Sequence, residues 1–454
     1  MTSLLAPLLA PPALPLHGIG GSKDLPIPTE LAIAGAVAAL TVSFTVLALA
    51  WRKPRYDAAV DGRPVPRLGA VVLSTPWRAT MRVVGVLVVG WGAFAAVFGQ
   101  DLLTNPFFGM VYVWWWVGLV PFSLVLGPVW KAISPVRTIN LLFAKVSGSD
   151  PDQGLFDYPS WLGYWPAAGG LFAFVWLELV YPHETDLGPV RLWCAVYVAL
   201  MLLGGALFGT RWFERGDPFE VYSSLVAKLS IWRVREGRLC VTSPLANLNT
   251  VVPDVGLLAV VSVLFGSTAF DSFRESTPWI RVLQGTDVIA SHTHGAFIAN
   301  NVALVAFCVG VGVVLAVGTM TTGVEKGQRR RELPMLFAHS VVPIIVGYVM
   351  AHYFSYWYEF GQDTLIKASD PLSSGADYLG TANLTVNYWI SYHPSLLASG
   401  KVAFVVLGHV VGVVAAHDRA IKLLPARHQL TGQLPLLVAM VGFTVGGLYL
   451  LFAA

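Results

Sequence analysis

The stretch PMLFAHSVVPIIVGYVMAHYFSYW, residues 334–357, runs without an acidic residue, a lysine or an arginine. A helix needs about 20 mainly apolar residues to cross the hydrocarbon core of a bilayer. Nine further stretches have a similar length and apolar character: 31–51, 81–100, 108–130, 161–181, 190–210, 254–271, 295–318, 397–416 and 434–453. The pattern predicts an all-α fold, a polytopic transmembrane helix bundle of about ten spans.

The composition supports a lipid environment and excludes several classes of function. Charged residues make up 12% of the 454-residue chain, whereas a soluble domain carries about a quarter. The lipid bilayer is therefore the expected partner of most of the surface. A net charge of only +3 gives no reason to expect a nucleic-acid partner. Neither a Walker A motif nor a dinucleotide-binding glycine motif occurs, so no nucleotide is expected.

The loop charges predict the direction of the spans. Cytoplasmic loops of membrane proteins carry an excess of lysine and arginine. With the N-terminus outside, 23 of the 29 basic residues fall in inner loops. The six left outside are Lys23, Arg191, Arg274, Arg281, Lys367 and Lys401. We therefore expect both termini to be extracytoplasmic.

The chain divides into a short leader and one membrane domain. Residues 1–30 are apolar but rich in proline and lack a basic start, so they are either an extracytoplasmic tail or a poor signal peptide. Residues 31–454 are predicted to form a single transmembrane domain.

Two stretches within this domain match each other. GPVWKAISPVRTINLLFAKVS starts at Gly127, and GTRWFERGDPFEVYSSLVAKLS starts at Gly209. They predict a parallel repeat of two spans, at about 108–181 and 190–271, with short amphipathic helices on the inner face. Transporters often place their sites between such repeats. A duplication with a purely structural role is the alternative.

A first tier of polar residues lies towards the outer ends of the spans. His352 and Glu359 lie on one face of their helix, because they are seven residues apart. His292 and His294 precede the seventh span, and Glu178 lies near the outer end of the fourth. Three imidazoles with a carboxylate would suit zinc, copper or iron. The alternative is that these side chains only bind loops at the headgroup level.

A second tier lies closer to the inner surface. His339 in the eighth span and His409 in the ninth are at similar depths when counted from the inner ends. They could form a pair of haem ligands or a proton relay. The simpler alternative is that each histidine is satisfied by a neighbouring carbonyl or by Ser340.

Several blocks resemble a known family of bacterial integral membrane proteins, often labelled fenitrothion hydrolase. The blocks are HGIGGSKDLPIP (His17–Pro28), LGYWPAAGGLFAFVWLELVYP (Leu162–Pro182), RGDPFEVYSSLVAKLS (Arg215–Ser230), AHYFSYWYEFGQ (Ala351–Gln362) and LGHVVGVVAAHDRAIKLL (Leu407–Leu424). The resemblance covers nearly the whole chain and implies a place in the bacterial cytoplasmic membrane.

The family label implies hydrolysis of an organophosphorus ester. A metal would then polarise the phosphoryl group and lower the pKa of a bound water. Under this hypothesis His292, His294 and His352 are the expected metal ligands, with Glu359 or Glu178 as the general base. Two other classes remain open: a transporter of a metal ion or small solute, and an accessory subunit of a membrane complex.

Overall fold

The computed structural model describes residues 22–56, 62–322, 324, 328–425, 428–429 and 431–452. Most of the predicted leader, residues 1–21, lies outside these ranges. The chain is mostly helical.

The first ten α-helices are α1 (Thr29–Ala50), α2 (Pro66–Val72), α3 (Thr75–Phe98), α4 (Pro106–Phe108), α5 (Leu119–Leu126), α6 (Val129–Ile133), α7 (Pro135–Ser147), α8 (Trp165–Leu179), α9 (Leu187–Phe208) and α10 (Thr210–Gly216). The next ten are α11 (Pro218–Val226), α12 (Pro244–Leu248), α13 (Leu257–Arg274), α14 (Thr277–Gly285), α15 (Asp287–Ala290), α16 (Gly295–Met320), α17 (Leu333–Phe337), α18 (Val342–Lys367), α19 (Pro394–Leu423) and α20 (Leu434–Phe452). A π-helix, Gly109–Val117, joins α4 to α5. Short 3₁₀ turns occur at Ser22–Asp24, Ala227–Leu229, Arg330–Glu332, Ala338–Val341 and Thr431–Gln433.

Eight helical segments of the described chain are long and apolar enough to cross a membrane. They are α1, α3, α9, α13, α16, the continuous segment Arg330–Lys367, α19, and Thr431–Phe452. A ninth results if Pro106–Val117 and Leu119–Leu126, bent by 44°, count as one span. The predicted class, a helical membrane bundle, is confirmed at this level.

The predicted fourth span, 161–181, is shorter than the sequence suggested. Its helix, α8, has 15 residues. At 1.5 Å per residue it covers about 22 Å, less than the roughly 30 Å of a hydrocarbon core. The count of ten spans and the direction of the termini therefore stay predictions.

Two of the spans form the centre of the bundle. Most of α13 and of Arg330–Lys367 is buried. α13 packs against α8, α16, α18 and α20, while α18 packs against α19 and the π-helix. Outer helices such as α1, α3 and α16 expose leucine and valine, for example Leu49, Leu87 and Val302. Polar groups on the facing sides of α13 and α18 are thus shielded from lipid.

Glycines bring α18 and α19 into backbone contact. A Cβ atom at Gly347 would lie 2.4 Å from the carbonyl oxygen of Phe404, and one at Gly408 would lie 2.5 Å from that of Pro343. Small residues allow this close approach between helices where no hydrophobic effect drives their association. The interface between these two helices therefore leaves no gap at these positions.

The two matching stretches of sequence share a local geometry. Gly127 ends α5 with φ 85° and ψ −158°, and Gly209 ends α9 with φ 63° and ψ −152°. After each glycine comes one short helix, then a capping residue and a proline. Ser134 accepts a hydrogen bond from the backbone of Arg137, and Asp217 caps α11 in the same way. The division into repeats stays a prediction.

A small sheet was missed by the all-α prediction. It contains β1 (Arg63–Pro64), β2 (Trp232–Arg235) and β3 (Arg238–Val241), in the antiparallel order β1-β3-β2. The hairpin between β2 and β3 turns at Glu236 and Gly237, whose φ angles of 51° and 73° suit a tight two-residue turn. Its strands are too short to give a strong alternating pattern.

The sheet, whose strands contain Arg63, Arg233, Arg235 and Arg238, lies at one end of the bundle. We call this end the basic end. Here Asp418 of α19 accepts hydrogen bonds from the backbone of Arg55 at 2.7 Å and from Asn249 at 3.2 Å. The short helices α6, α7, α10 and α11 lie at the same end. The opposite, far end is where α8 and α13 finish, joined by a 2.8 Å hydrogen bond from Arg274 Nη1 to the carbonyl of Leu179.

Candidate functional site

A buried hydrogen-bonded cluster joins α13 to α18 towards the far end. Nε2 of His352 lies 2.9 Å from Oδ2 of Asp271, and Nδ1 lies 3.1 Å from Oγ of Ser272. Asp271 is fully buried, and His352 is 7% exposed. The predicted site residue His352 therefore points at α13, into the centre of the bundle.

Asp271 is the hub of this cluster. Its Oδ1 accepts a 3.0 Å hydrogen bond from Nε of Arg274, three residues later on the same helix. Its Oδ2 also accepts a hydrogen bond from the hydroxyl of Tyr353. Since a buried carboxylate is costly unless it is paired and hydrogen-bonded, these donors explain how the charge is held in the core.

With Asp271 ionised, the hydrogen bonds assign the proton positions in the cluster. An ionised carboxylate only accepts, so Nε2 of His352 carries the hydrogen that points at Asp271. Nδ1 is then an acceptor for the hydroxyl of Ser272, which itself accepts a 3.0 Å hydrogen bond from the hydroxyl of Tyr348. The result is a chain from Tyr348 through Ser272 and His352 to Asp271.

A narrow cavity opens beside this chain. Its lining residues are Tyr112, Glu178, Leu179, Glu184, Asp271, Arg274, Tyr353 and Tyr356. Three carboxylates and one guanidinium give the lining an excess of negative charge when all are ionised. The free volume is about 10 Å³, room for about one water molecule.

The π-helix brings Tyr112 to this cavity. The tyrosine hydroxyl donates a 2.8 Å hydrogen bond to the carbonyl of Glu184, in the segment between α8 and α9. A π-helix is rare, and such segments are frequently found at functional sites. Four parts of the chain therefore converge on the cavity: the π-helix, the end of α8 with its following segment, α13 and α18.

The predicted carboxylates lie in two different places. Glu178 lines the cavity with Asp271 and Arg274. Glu359 is also buried, but it accepts a hydrogen bond from Ser391, in the segment between α18 and α19, and does not line the cavity. Seven residues along a helix correspond to about 10 Å, which places Glu359 well beyond His352 towards the far end.

The three predicted metal-binding histidines are not brought together. His292 and His294 are exposed, just before α16. Nδ1 of His292 lies 2.7 Å from the carbonyl of Val288, whereas both ring nitrogens of His352 bind α13. Within the residues that the structure describes, no group of three or more His, Cys, Asp and Glu could hold a metal ion.

The two inner histidines, His339 and His409, are buried, and among the described residues only one ring nitrogen of each has a hydrogen-bond partner. Nδ1 of His339 lies 3.1 Å from the carbonyl of Leu336, and Nδ1 of His409 lies 2.8 Å from that of Val405. Their Nε2 atoms have no hydrogen-bond partner in the described part of the chain. Unprotonated Nε2 atoms could bind iron, but a haem needs a slot between helices, and α18 and α19 touch backbone to backbone at Gly347 and Gly408. The residues present do not fit a haem at this interface.

Sequence reasoning missed the partners of His352. Asp271 and Arg274 fall at the end of the predicted sixth span, where charged residues are expected at the membrane boundary and therefore did not indicate a site. A serine and a tyrosine within a span, such as Ser272 and Tyr353, do not by themselves indicate a site unless it is known which helices pack together. The signal that could have identified the site is the Asp271–Arg274 pair, spaced three residues apart on one helix face.

Comparisons with protein-family models, with curated proteins and with solved structures return no match.

Proposed function

We propose that the chain is a proton-coupled membrane transporter in which Asp271 and His352 form the proton-binding pair. The observation that carries this proposal is the 2.9 Å hydrogen bond between these two buried side chains on central helices. Ionisable residues inside membrane spans are costly, and they mark proton relays and ion pathways. If these two side chains only stabilised the fold, apolar side chains packed at the same positions would do so at a lower cost in free energy.

The geometry suits the movement of a proton. Protonation of His352 at Nδ1 by a proton from water would require the hydroxyl of Ser272 to rotate, so that its oxygen accepts from Nδ1 and its hydrogen points away from His352. The added charge would be stabilised by Asp271 and by the other carboxylates of the cavity, Glu178 and Glu184. A free volume of about 10 Å³ admits water but not an organophosphorus triester.

The charge distribution supports a direction for the protein in the membrane. Lysine and arginine gather at the basic end, so we place that end in the cytoplasm and the far end outside. The Asp271–His352 pair would then face the extracytoplasmic half of a bacterial cytoplasmic membrane.

Currents evoked by pH jumps in proteoliposomes on a solid-supported membrane test the proposal. We expect a transient charge displacement in the wild-type protein that disappears in Asp271→Asn and in His352→Gln. Asp101→Asn is the matched control, because Asp101 is exposed and only caps the backbone of Leu187 at 3.0 Å. Equal displacements in all four proteins, each shown to be folded, would refute the proposal.

A second candidate function, the hydrolase that the family resemblance implies, is favoured by one observation. Ser272, His352 and Asp271 are linked in the order hydroxyl, imidazole, carboxylate, which is the order of a serine-hydrolase triad. Ser272 does not line the cavity, however. Covalent labelling of Ser272 by a fluorophosphonate probe, lost in His352→Gln, would support this candidate. Labelling absent or unchanged in His352→Gln would exclude it.

A further inference from the structure

A second cavity lies at the basic end, remote from the proposed proton site. It is enclosed by α6, α10, α11 and the segment around Thr250, and its free volume is about 200 Å³. The side chains that set its charge are Lys131, Arg211, Arg215, Lys228, Glu214 and Glu220. This cavity is some twenty times larger than the one at the far end.

The acidic side chains around this cavity are already committed to cations. Glu214 binds Lys131 at 2.9 Å and Arg211 at 3.5 Å. Glu220 is held by the guanidinium of Arg137, whose Nη2 lies 2.6 Å from Oε1.

The cations outnumber these acids. Arg215 lies 3.0 Å from Asp254, and Arg137, Lys131, Arg211 and Lys228 add four more positive charges. Five cations thus face the three carboxylates of Glu214, Glu220 and Asp254, which leaves an excess of two positive charges.

Lys228 accounts for part of the excess. Its Nζ donates a 2.6 Å hydrogen bond to Oγ1 of Thr250, and no carboxylate pairs with it in the described chain. Burial, together with the nearby charges of Arg233 and Lys131, lowers the pKa of Lys228 to about 8. A buried ammonium beside other cations is stabilised by an anion in contact with it.

We propose that this cavity binds a phosphoryl anion, either the phosphodiester of an acidic lipid headgroup or free phosphate. Arginine and lysine are the usual partners of phosphate oxygens, the first through a planar fork and the second as a point charge. Basic pockets between helices on the cytoplasmic side take lipid headgroups in other membrane proteins. The apolar side chains of Leu225, Val251 and Val252 on the same lining would suit the start of an acyl chain.

Thermal stability and native mass spectrometry of the detergent-purified protein test this inference. The probes are inorganic phosphate, phosphatidylglycerol and, as a neutral lipid, phosphatidylcholine, all at one ionic strength. We expect phosphatidylglycerol or phosphate to raise the melting temperature, and the affinity to fall about tenfold in Lys228→Gln, since one charge-assisted hydrogen bond is lost. Lys145→Gln is the matched control, because Lys145 is an exposed lysine of α7 at the same end.

The two sources of the anion give different results. Retention of phosphatidylglycerol with no effect of phosphate identifies a headgroup site, and the reverse identifies a site for free phosphate. Arg211→Gln, a change at a half-exposed rim residue, repeats the test if Lys228→Gln fails to fold. The inference is overturned if neither probe binds, or if Lys228→Gln or, should it not fold, Arg211→Gln binds as tightly as Lys145→Gln.

Discussion

The two polar regions of this bundle, the Asp271 cluster and the cavity beside Lys228, differ in how their charged groups are paired. Towards the far end, Asp271 is surrounded by donors from Arg274, Tyr353 and His352, and the free space beside it holds about one water. At the basic end, Lys228 has a hydroxyl partner and a cavity of about 200 Å³ in front of it.

Because of this difference, the two regions can bind different species. A cluster whose hydrogen bonds are internal can take up a proton by rotating a hydroxyl, and it has no room for a larger guest. A cavity with surplus positive charge has room for a polyatomic anion and gains from binding one.

The largest effect is expected from removing the charge of Asp271. Asp271→Asn leaves the largely buried guanidinium of Arg274 without its carboxylate, which costs up to about 3 kcal/mol of stability, the lower end of the range for a fully buried pair. A thiol-reactive dye can follow thermal unfolding once the half-buried Cys194 is replaced by serine, because Cys240 and Cys308 are buried and react only when the protein unfolds. Asp101→Asn should change the stability little, because the amide oxygen of asparagine can still accept the hydrogen bond from the backbone of Leu187.

A double variant separates charge from shape in the same experiment. Asp271→Asn combined with Arg274→Gln removes both charges, so we expect it to recover part of the lost stability. If the double variant is no more stable than Asp271→Asn, the ion pair is not the source of the effect.

The next effect distinguishes the buried histidine from the two exposed ones. His352→Gln should abolish the pH-jump response, whereas His292→Ala with His294→Ala should leave it unchanged, because those rings lie outside the cluster. Elemental analysis of the same proteins tests the predicted zinc, copper or iron site. One metal per chain that disappears in the His292/His294 double variant would support that site and count against the proton pair.

The sequence was a good guide to the spans and a poor one to their ends. Long apolar runs identify α1, α3 and α16 because burial in lipid demands about 20 such residues. The same criterion overestimated α8, whose helix starts only at Trp165. The positive φ of Gly163, 43°, ends the turn before the helix, and Pro166 lies at the first positions of α8. At its other end the helix finishes at Leu179, before Pro182.

The sequence predicts some residues of the candidate site but not the contacts between them. His352 stands out as an ionisable residue within a span, and Glu178 as a second, so both were identified. The pairing of His352 with Asp271 could not be predicted, because contact between α13 and α18 depends on how the helices are rotated and not on any spacing within one helix. The exposed His292 and His294 attracted attention only by their proximity in the sequence.

A smaller effect is expected from the pH dependence of the cavity at the basic end. Lys228 has a pKa lowered to about 8, so in the ligand-free protein it loses its proton above that pH. Phosphatidylglycerol keeps one negative charge throughout this range, so its affinity should be constant below pH 8 and fall above it by about tenfold in all, the same loss as in Lys228→Gln. Lys228→Arg should extend tight binding to higher pH. A wild-type affinity that is flat to pH 10 would contradict the assignment of Lys228.

The same pKa shift has a second consequence, for stability. Between pH 8 and pH 10 the unfolded chain keeps the proton on Lys228 while the folded chain releases it. The unfolded state therefore binds more protons, and the contribution of Lys228 to the free energy of unfolding rises with pH over this interval. A bound phosphodiester should flatten that rise, because the anion holds the proton in the folded state.

The smallest effect compares the two glycine turns of the matching stretches. Both residues have a positive φ with ψ near 180°, a region that costs an alanine about 1–3 kcal/mol. At Gly127 the nearest atom to an added Cβ is 3.9 Å away, whereas at Gly209 it is the carbonyl oxygen of Asp152 at 2.6 Å. Gly127→Ala should therefore lower the stability by about 1 kcal/mol, near the bottom of that range, and Gly209→Ala by more. Equal losses in thermal unfolding would mean that the segment around Asp152 yields, and that only the backbone angle, common to both stretches, requires glycine.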